Sequence, residues 1–175
     1  MKTNVSGDLD FCKRCGLDTT ISSIKFDENG MCNFCKSHDM LLKYYPRDEK
    51  VLEKRRNEIV KKIKYSGRKR KYDCIVGVSG GTDSIYTLYM AKKDGLRPLA
   101  VHFDNGWNTN IAVTNIEKAT TKLDVDVYTY VVDWEEFKYI QKAFLKGSTP
   151  DIEVPTDVAI HGTLYKLASK EKIKY

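Results

Sequence analysis

Four of the five cysteines fall as Cys12-x2-Cys15 and Cys32-x2-Cys35, with 16 residues between the pairs. This is a zinc-ribbon spacing, in which each pair turns two thiolates toward one ion. In a reducing compartment such pairs are metal ligands rather than disulfides, with a redox pair as the competing reading. Gly16 and Gly30 stand where knuckle turns need conformational freedom. A 40-residue segment with few large apolar side chains cannot be held by burial alone. A structural Zn²⁺ supplies roughly 10–16 kcal/mol of apparent binding energy to such a module. His38 is expected to be an ordinary surface histidine, since four sulfurs already close a tetrahedron.

A second constellation is Ser79-Gly80-Gly81-Thr82-Asp83-Ser84. The glycine pair lets the backbone turn tightly and bring several N–H groups into one concavity, and a following helix N-terminus adds partial positive charge. Ser79, Thr82 and Ser84 add hydroxyls. This is a phosphate cradle, but no GK[ST] follows it and the glycine spacing is not that of a dinucleotide fingerprint. Asp83 is repulsive to phosphate unless a cation lies between, because a unit-charge pair at about 4 Å is worth roughly 4 kcal/mol at an effective dielectric of 20. Asp83 therefore implies Mg²⁺, or a helix-capping role facing away from the ligand.

The elements that must position these groups are legible from periodicity. Tyr72–Val78 is a short apolar run, as for a strand buried on both faces. A helix follows over 84–94, a strand over 97–103, a helix over 108–123, a strand over 125–132 and helices over 134–145 and 155–170. Alternating strands and helices predict an α/β fold on a parallel sheet. Residues 1–45 form the cysteine-bearing module, turn-rich and short of helical periodicity. Residues 46–71 hold a basic helix over 47–64 and a linker, and residues 72–175 the α/β domain.

The chain carries a formal net charge of +6. Residues 41–72 hold 13 Lys/Arg against 4 Asp/Glu, so the rest is slightly acidic. The basicity is one segment, suited to a solvated helix face or to an RNA contact. No apolar run approaches 18 residues, and the first ten residues have no signal-peptide core, so the expected compartment is the cytoplasm with no membrane partner.

SGGTDS after YDCIVGV resembles the PP-loop of the ATP-pyrophosphatase superfamily, whose members split ATP between the α and β phosphates and adenylate an oxygen. HFDNGW (102–107) is also similar to that superfamily. The likeness implies ATP and Mg²⁺ as cofactors, a loop of residues 79–84 holding pyrophosphate, and Asp83 and Ser84 as the catalytic pair. It also places Phe103 near the base and Asp104 near ribose or magnesium, while a plain turn remains the rival reading of Asp104-Asn105-Gly106.

Across nearly the whole chain, CKRC with GLDTT, FDENGMCNFC, KYDCIVGVSGGTDSIYTLY and VHFDNGWN resemble the N-acetyl sugar amidotransferase family. That resemblance implies conversion of an acetamido sugar to an acetamidino sugar in lipopolysaccharide or O-antigen biosynthesis. It implies that Thr156 and Asp157 face the substrate. Ammonia would come from a separate glutaminase subunit and an ammonia-channelling subunit resembling histidine-biosynthesis amidotransferases. Lys2 stands where an N-terminal-nucleophile glutaminase needs cysteine, and Cys74 lies inside an apolar strand. Nucleic acid is not the expected partner. The alternatives are a tRNA-thiolating PP-loop enzyme, which the basic segment would suit, and a zinc-ribbon module on a degenerate ATP fold. The resemblance further implies sheet order 3-2-1-4-5 and a chain continuing past residue 175. The 175 residues alone are then expected to bind ATP weakly, make no amidine and tend to associate through an exposed strand 72–78.

Overall fold

The computed structural model describes residues 9–175, which divide into two compact units at Arg56/Asn57. The first unit is built around thiols. Short antiparallel bridges join Phe11 to Asp18 and Phe26 to Cys32. Cys12, Cys32 and Cys35 form a small core with Ile24, Phe26 and Met31 against it. One helix, α1 (Asn33–Tyr44), was not legible in the sequence. It starts inside the second CxxC, where the Cys32 side chain caps it by accepting from the Cys35 N–H. Met40, Leu41 and Tyr44 are exposed, so no apolar stripe announces the helix. Helix α2 (Glu49–Gly67) carries the basic segment across the boundary between the units.

In the second unit β1 (Cys74–Gly77), β2 (Pro98–Asp104) and β3 (Val127–Val131) form a parallel sheet in the order β1-β2-β3. Helices α3 (Thr82–Lys93) and α4 (Asn110–Leu123) supply the crossovers that parallel pairing requires. They bury one face of the sheet through Val78, Leu88, Ala100 and Ile116. Helices α5 (Trp134–Lys146) and α6 (Val154–Lys170) follow, and α6 closes the opposite face, packing Leu167 on Leu99 and Val101. Central β2 is buried along its first five residues, as its apolar run predicts, while β3 is exposed throughout. β1 forms one edge of the sheet, as expected, and that edge is partly covered. Cys74 is buried, Ile75 and Val76 are half-buried, and the Ile75 N–H donates to the Tyr175 carbonyl.

The stretch 66–71, read as a linker, is clasped. Asp73, only 4% exposed, accepts from Arg97 Nε, Nη2 and backbone N–H, and the same guanidinium donates to the carbonyls of Gly67 and Arg70. Removing one partner of a buried ion pair strands the other, at roughly 3–5 kcal/mol. Arg97 is half-exposed, so Asp73→Ala is expected to cost less, about 2–3 kcal/mol. Both tryptophans lie in this unit, so their fluorescence in a urea titration checks the value. An unmoved midpoint would show that the clasp contributes nothing.

Candidate metal centre and nucleotide site

The ligand sulfurs of Cys12, Cys15, Cys32 and Cys35 all lie within 4.8 Å of one another. Cys12 and Cys35 are 3.8 Å apart and Cys15 and Cys32 3.6 Å. A tetrahedron of thiolates at about 2.3 Å from Zn²⁺ has edges of about 3.8 Å, so the donor set fits zinc. Gly16 and Gly30 both adopt positive φ at the knuckles. Backbone N–H groups of the first knuckle, that of Cys15 foremost, hold the Cys12 thiol down to about 6. Burial and the neighbouring thiols push Cys35 up to about 12. His38 stands apart, beside Arg47 and Asp39.

The predicted phosphate cradle connects β1 to α3. Helix α3 begins after Gly81 with no side-chain cap, whereas Thr109 caps α4 and Asp133 caps α5. Its first N–H groups are thus left for an anion. A ring of hydroxyls braces the loop. Ser84 Oγ donates to the Gly81 carbonyl (3.1 Å) and accepts from the Ser79 N–H (3.1 Å), while the two serine oxygens lie 3.2 Å apart. Asn115 Nδ2 on α4 holds the Gly80 carbonyl (3.1 Å). Gly80 has φ +80°, and a Cβ there would collide with the backbone of Ala112. Only glycine allows the loop to lie this close to α4.

Beside the loop, between the sheet and α6, lies a cavity of about 340 Å³. Ser79, Ser84, Asn105, Asn108 and Thr156 give it polar walls, and Phe103, Ile160 and Leu164 apolar ones. Phe103 is stacked on Tyr130 at 5.8 Å. Of the residues read from the sequence, Ser79, Ser84, Phe103 and Thr156 meet here, with Asn105 Nδ2 3.5 Å from Thr156 Oγ1. Gly80, Gly81 and Thr82 border a second groove, of about 870 Å³, between α3 and α4. Asp83, Asp104 and Asp157 lie outside the walls of the cavity. Asp83 is exposed in the first turn of α3 and has no companion acidic cluster among the described residues. It suits a Mg²⁺ held by one carboxylate plus phosphate oxygens. Asp104 Oδ1 accepts from the Gly106 N–H (3.0 Å) and Asn108 Nδ2 (2.8 Å), so this oxygen builds the turn.

Sequence reasoning assigned no role to His102, Trp107, Trp134 or Gln141. His102 is 4% exposed, its Nδ1 3.2 Å from the Val78 carbonyl at the root of the loop, and its Nε2 has no partner among the described residues. Trp107 Nε1 donates to Gln141 Oε1 (2.8 Å), and Trp107 meets Trp134 edge to face at 5.5 Å. These partners lie 24 to 34 residues away, beyond the reach of local pattern.

The family model for the queuosine biosynthesis protein QueC matches residues 73–163, just over half the chain. An uncharacterized protein of Methanocaldococcus jannaschii, MJ1599, is 32% identical over 128 residues, covering 73% of this chain and 43% of that protein. The tRNA-specific 2-thiouridylase MnmA of Desulfosudis oleivorans is 31% identical over 78 residues, 42% of this chain and 22% of that protein. The chain thus spans less than half the length of these curated relatives. The NH3-dependent NAD synthetase of Campylobacter jejuni is similar in structure over 66% of this chain and 51% of its own, with a TM-score of 0.48 and 14% identity. No helix among the described residues is long and apolar enough to cross a membrane.

Proposed function

The chain belongs to the family of the queuosine biosynthesis protein QueC, of the PP-loop ATP pyrophosphatase superfamily, and from that premise we propose that it is a cytoplasmic, ATP-dependent amidotransferase acting on an acetamido sugar. The observation that carries the reading is the uncapped N-terminus of α3, framed by Ser79 and Ser84, opening beside a cavity large enough for an acyl acceptor.

The loop holds the β and γ phosphates through the α3 N–H groups and the serine hydroxyls. An acceptor in the cavity presents its amide oxygen to the α-phosphorus. That oxygen forms the new O–P bond and pyrophosphate leaves on the loop. Ammonia from the glutaminase subunit then adds to the imidate carbon, AMP departs with the former amide oxygen, and an acetamidino group remains. An amide oxygen is a poor leaving group, and adenylation is what lets it depart. The residues here orient the reactants and stabilise developing phosphate charge. Mg²⁺ at Asp83 would neutralise charge on the pyrophosphate.

ATP–pyrophosphate exchange by the native-length protein across acetamido sugars, with tRNA as a separate arm, tests the reading. Exchange that depends on an acetamido sugar is expected, and exchange that depends only on tRNA overturns it. Asp83→Ala is expected to lose metal-dependent nucleotide binding with the fold intact. Unchanged magnesium-ATP affinity would reduce Asp83 to a residue that complements the helix dipole.

A second reading, tRNA thiolation, is favoured by the similarity to MnmA and by the exposed basic face of α2. Against it, Cys74, the one cysteine outside the thiol cluster, is buried and its thiol is pushed up to about 11. Such a thiol is inert as a nucleophile at neutral pH.

A further inference from the structure

Trp107 is 65% exposed, yet its indole is fixed. Its N–H donates to the side chain of Gln141, which is 6% exposed. Burying an amide is costly unless its hydrogen bonds are made, and the Gln141 oxygen finds its donor in this surface ring. Trp134 packs against the same ring edge to face. The turn beneath is shaped for this pair: Gly106 has φ +82°, and a Cβ there would press on the Trp134 ring at 3.0 Å. The Trp107 backbone N–H donates to Asn105 Oδ1 (3.1 Å). Asn105 and Asn108, on either side of Trp107 in the chain, line the cavity, so the turn that carries the indole also borders it.

We propose that Trp107 is a stacking platform for the pyranose ring of the acceptor sugar, placing the acetamido group in the cavity beside Ser79 and Ser84. The electron-rich face of an indole attracts the weakly positive C–H face of a pyranose, while the ring hydroxyls remain free for rim amides. The surrounding charge selects a neutral ring. Asp133, Glu135 and Glu136 adjoin Trp134 in the chain, with Lys138 paired to Glu135, and Asp104 lies in the turn itself, a net acidic setting that disfavours a nucleic-acid backbone. The inference rests on the sugar-amidotransferase reading and adds to it the residue that holds the ring.

Saturation-transfer NMR on the 175-residue chain, with the methyl glycosides of N-acetylglucosamine, N-acetylgalactosamine and N-acetylmannosamine as probes and uridine as a separate arm, tests the platform. Transfer to pyranose ring hydrogens is expected with at least one sugar. Trp107→Ala should weaken that binding about tenfold, as loss of an aromatic contact implies, and Trp107→Phe should restore most of it. Gln141→Leu, which frees the indole without removing it, should give an intermediate loss. The amide resonances of the sheet strands β1 and β2, remote in sequence from Trp107's ring partners, report that each variant keeps its fold. Absence of transfer from every sugar, transfer only to uridine, or sugar binding indifferent to Trp107 overturns the proposal. Trp107-dependent sugar binding without sugar-dependent pyrophosphate exchange would sink the adenylation reading and leave the platform standing.

Discussion

Removal of zinc is expected to unfold the four-cysteine module while the second unit keeps its structure. The module's buried core among the described residues is Cys12, Cys32 and Cys35, with three partly buried apolar side chains against it. A core this small does not offset the chain entropy of ordering some 35 residues, at about 1–2 kcal/mol each. Coordination supplies roughly 10–16 kcal/mol of apparent free energy to comparable modules, so folding and binding are one event. Purified protein should contain one zinc per chain, and a strong chelator should abolish the helical signal of α1. Cys32→Ser should do the same, since that sulfur also caps the helix. The ligands bind as thiolates, so affinity must fall as pH falls and protons compete for sulfur. A metal-free module whose α1 amides stay protected from exchange would refute this account.

Gly80→Ala and Gly81→Ala should separate stability from binding. At Gly80 the left-handed backbone costs a non-glycine residue about 1–2 kcal/mol. The collision with the Ala112 carbonyl adds an overpacking cost of about 1–3 kcal/mol. A total near 3 kcal/mol should lower the urea midpoint clearly. Gly81 has ordinary φ (−79°), and a Cβ there meets nothing nearer than Ser79 Oγ at 3.5 Å. Gly81→Ala should leave the urea midpoint almost unmoved. Its methyl group would nevertheless stand over the open end of α3, and magnesium-ATP affinity measured by calorimetry should fall about tenfold or more, the equivalent of one charge-assisted hydrogen bond. Equal stability losses in the two variants, or full ATP affinity in Gly81→Ala, would show that the uncapped helix end is not the anion site.

Much of this arrangement was legible because it is local. The run Tyr72–Val78, the glycine pair and the apolar spacing of Ile85 and Leu88 specify strand, turn and helix within about 20 residues. The Cys-x2-Cys pairs likewise announce a thiol cluster that the fold assembles within 4.8 Å. What escaped sequence reading depends on partners brought together by the sheet. Arg97 reaches back 24 to 30 residues to close on Asp73 and Gly67, and no periodicity records that. Helix α1 is set by a sulfur cap rather than by an apolar face. At Asp104 the motif leaves ligand contact and a plain turn both open, and the carboxylate oxygen that the structure ties down serves the turn.

The Arg97 clasp also governs how the protein tolerates being cut. Arg68, Lys69, Arg70 and Lys71 look like an open invitation to trypsin, but Arg97 grips the carbonyl of Gly67 just before them and that of Arg70 within them. A protease must straighten about ten residues of substrate, which here means breaking the clasp first. Limited trypsinolysis should therefore spare this stretch in the native protein and attack it in Asp73→Ala. A dissection that begins at Tyr72 would discard two of the guanidinium's partners, whereas one that begins near Asn57 keeps them all.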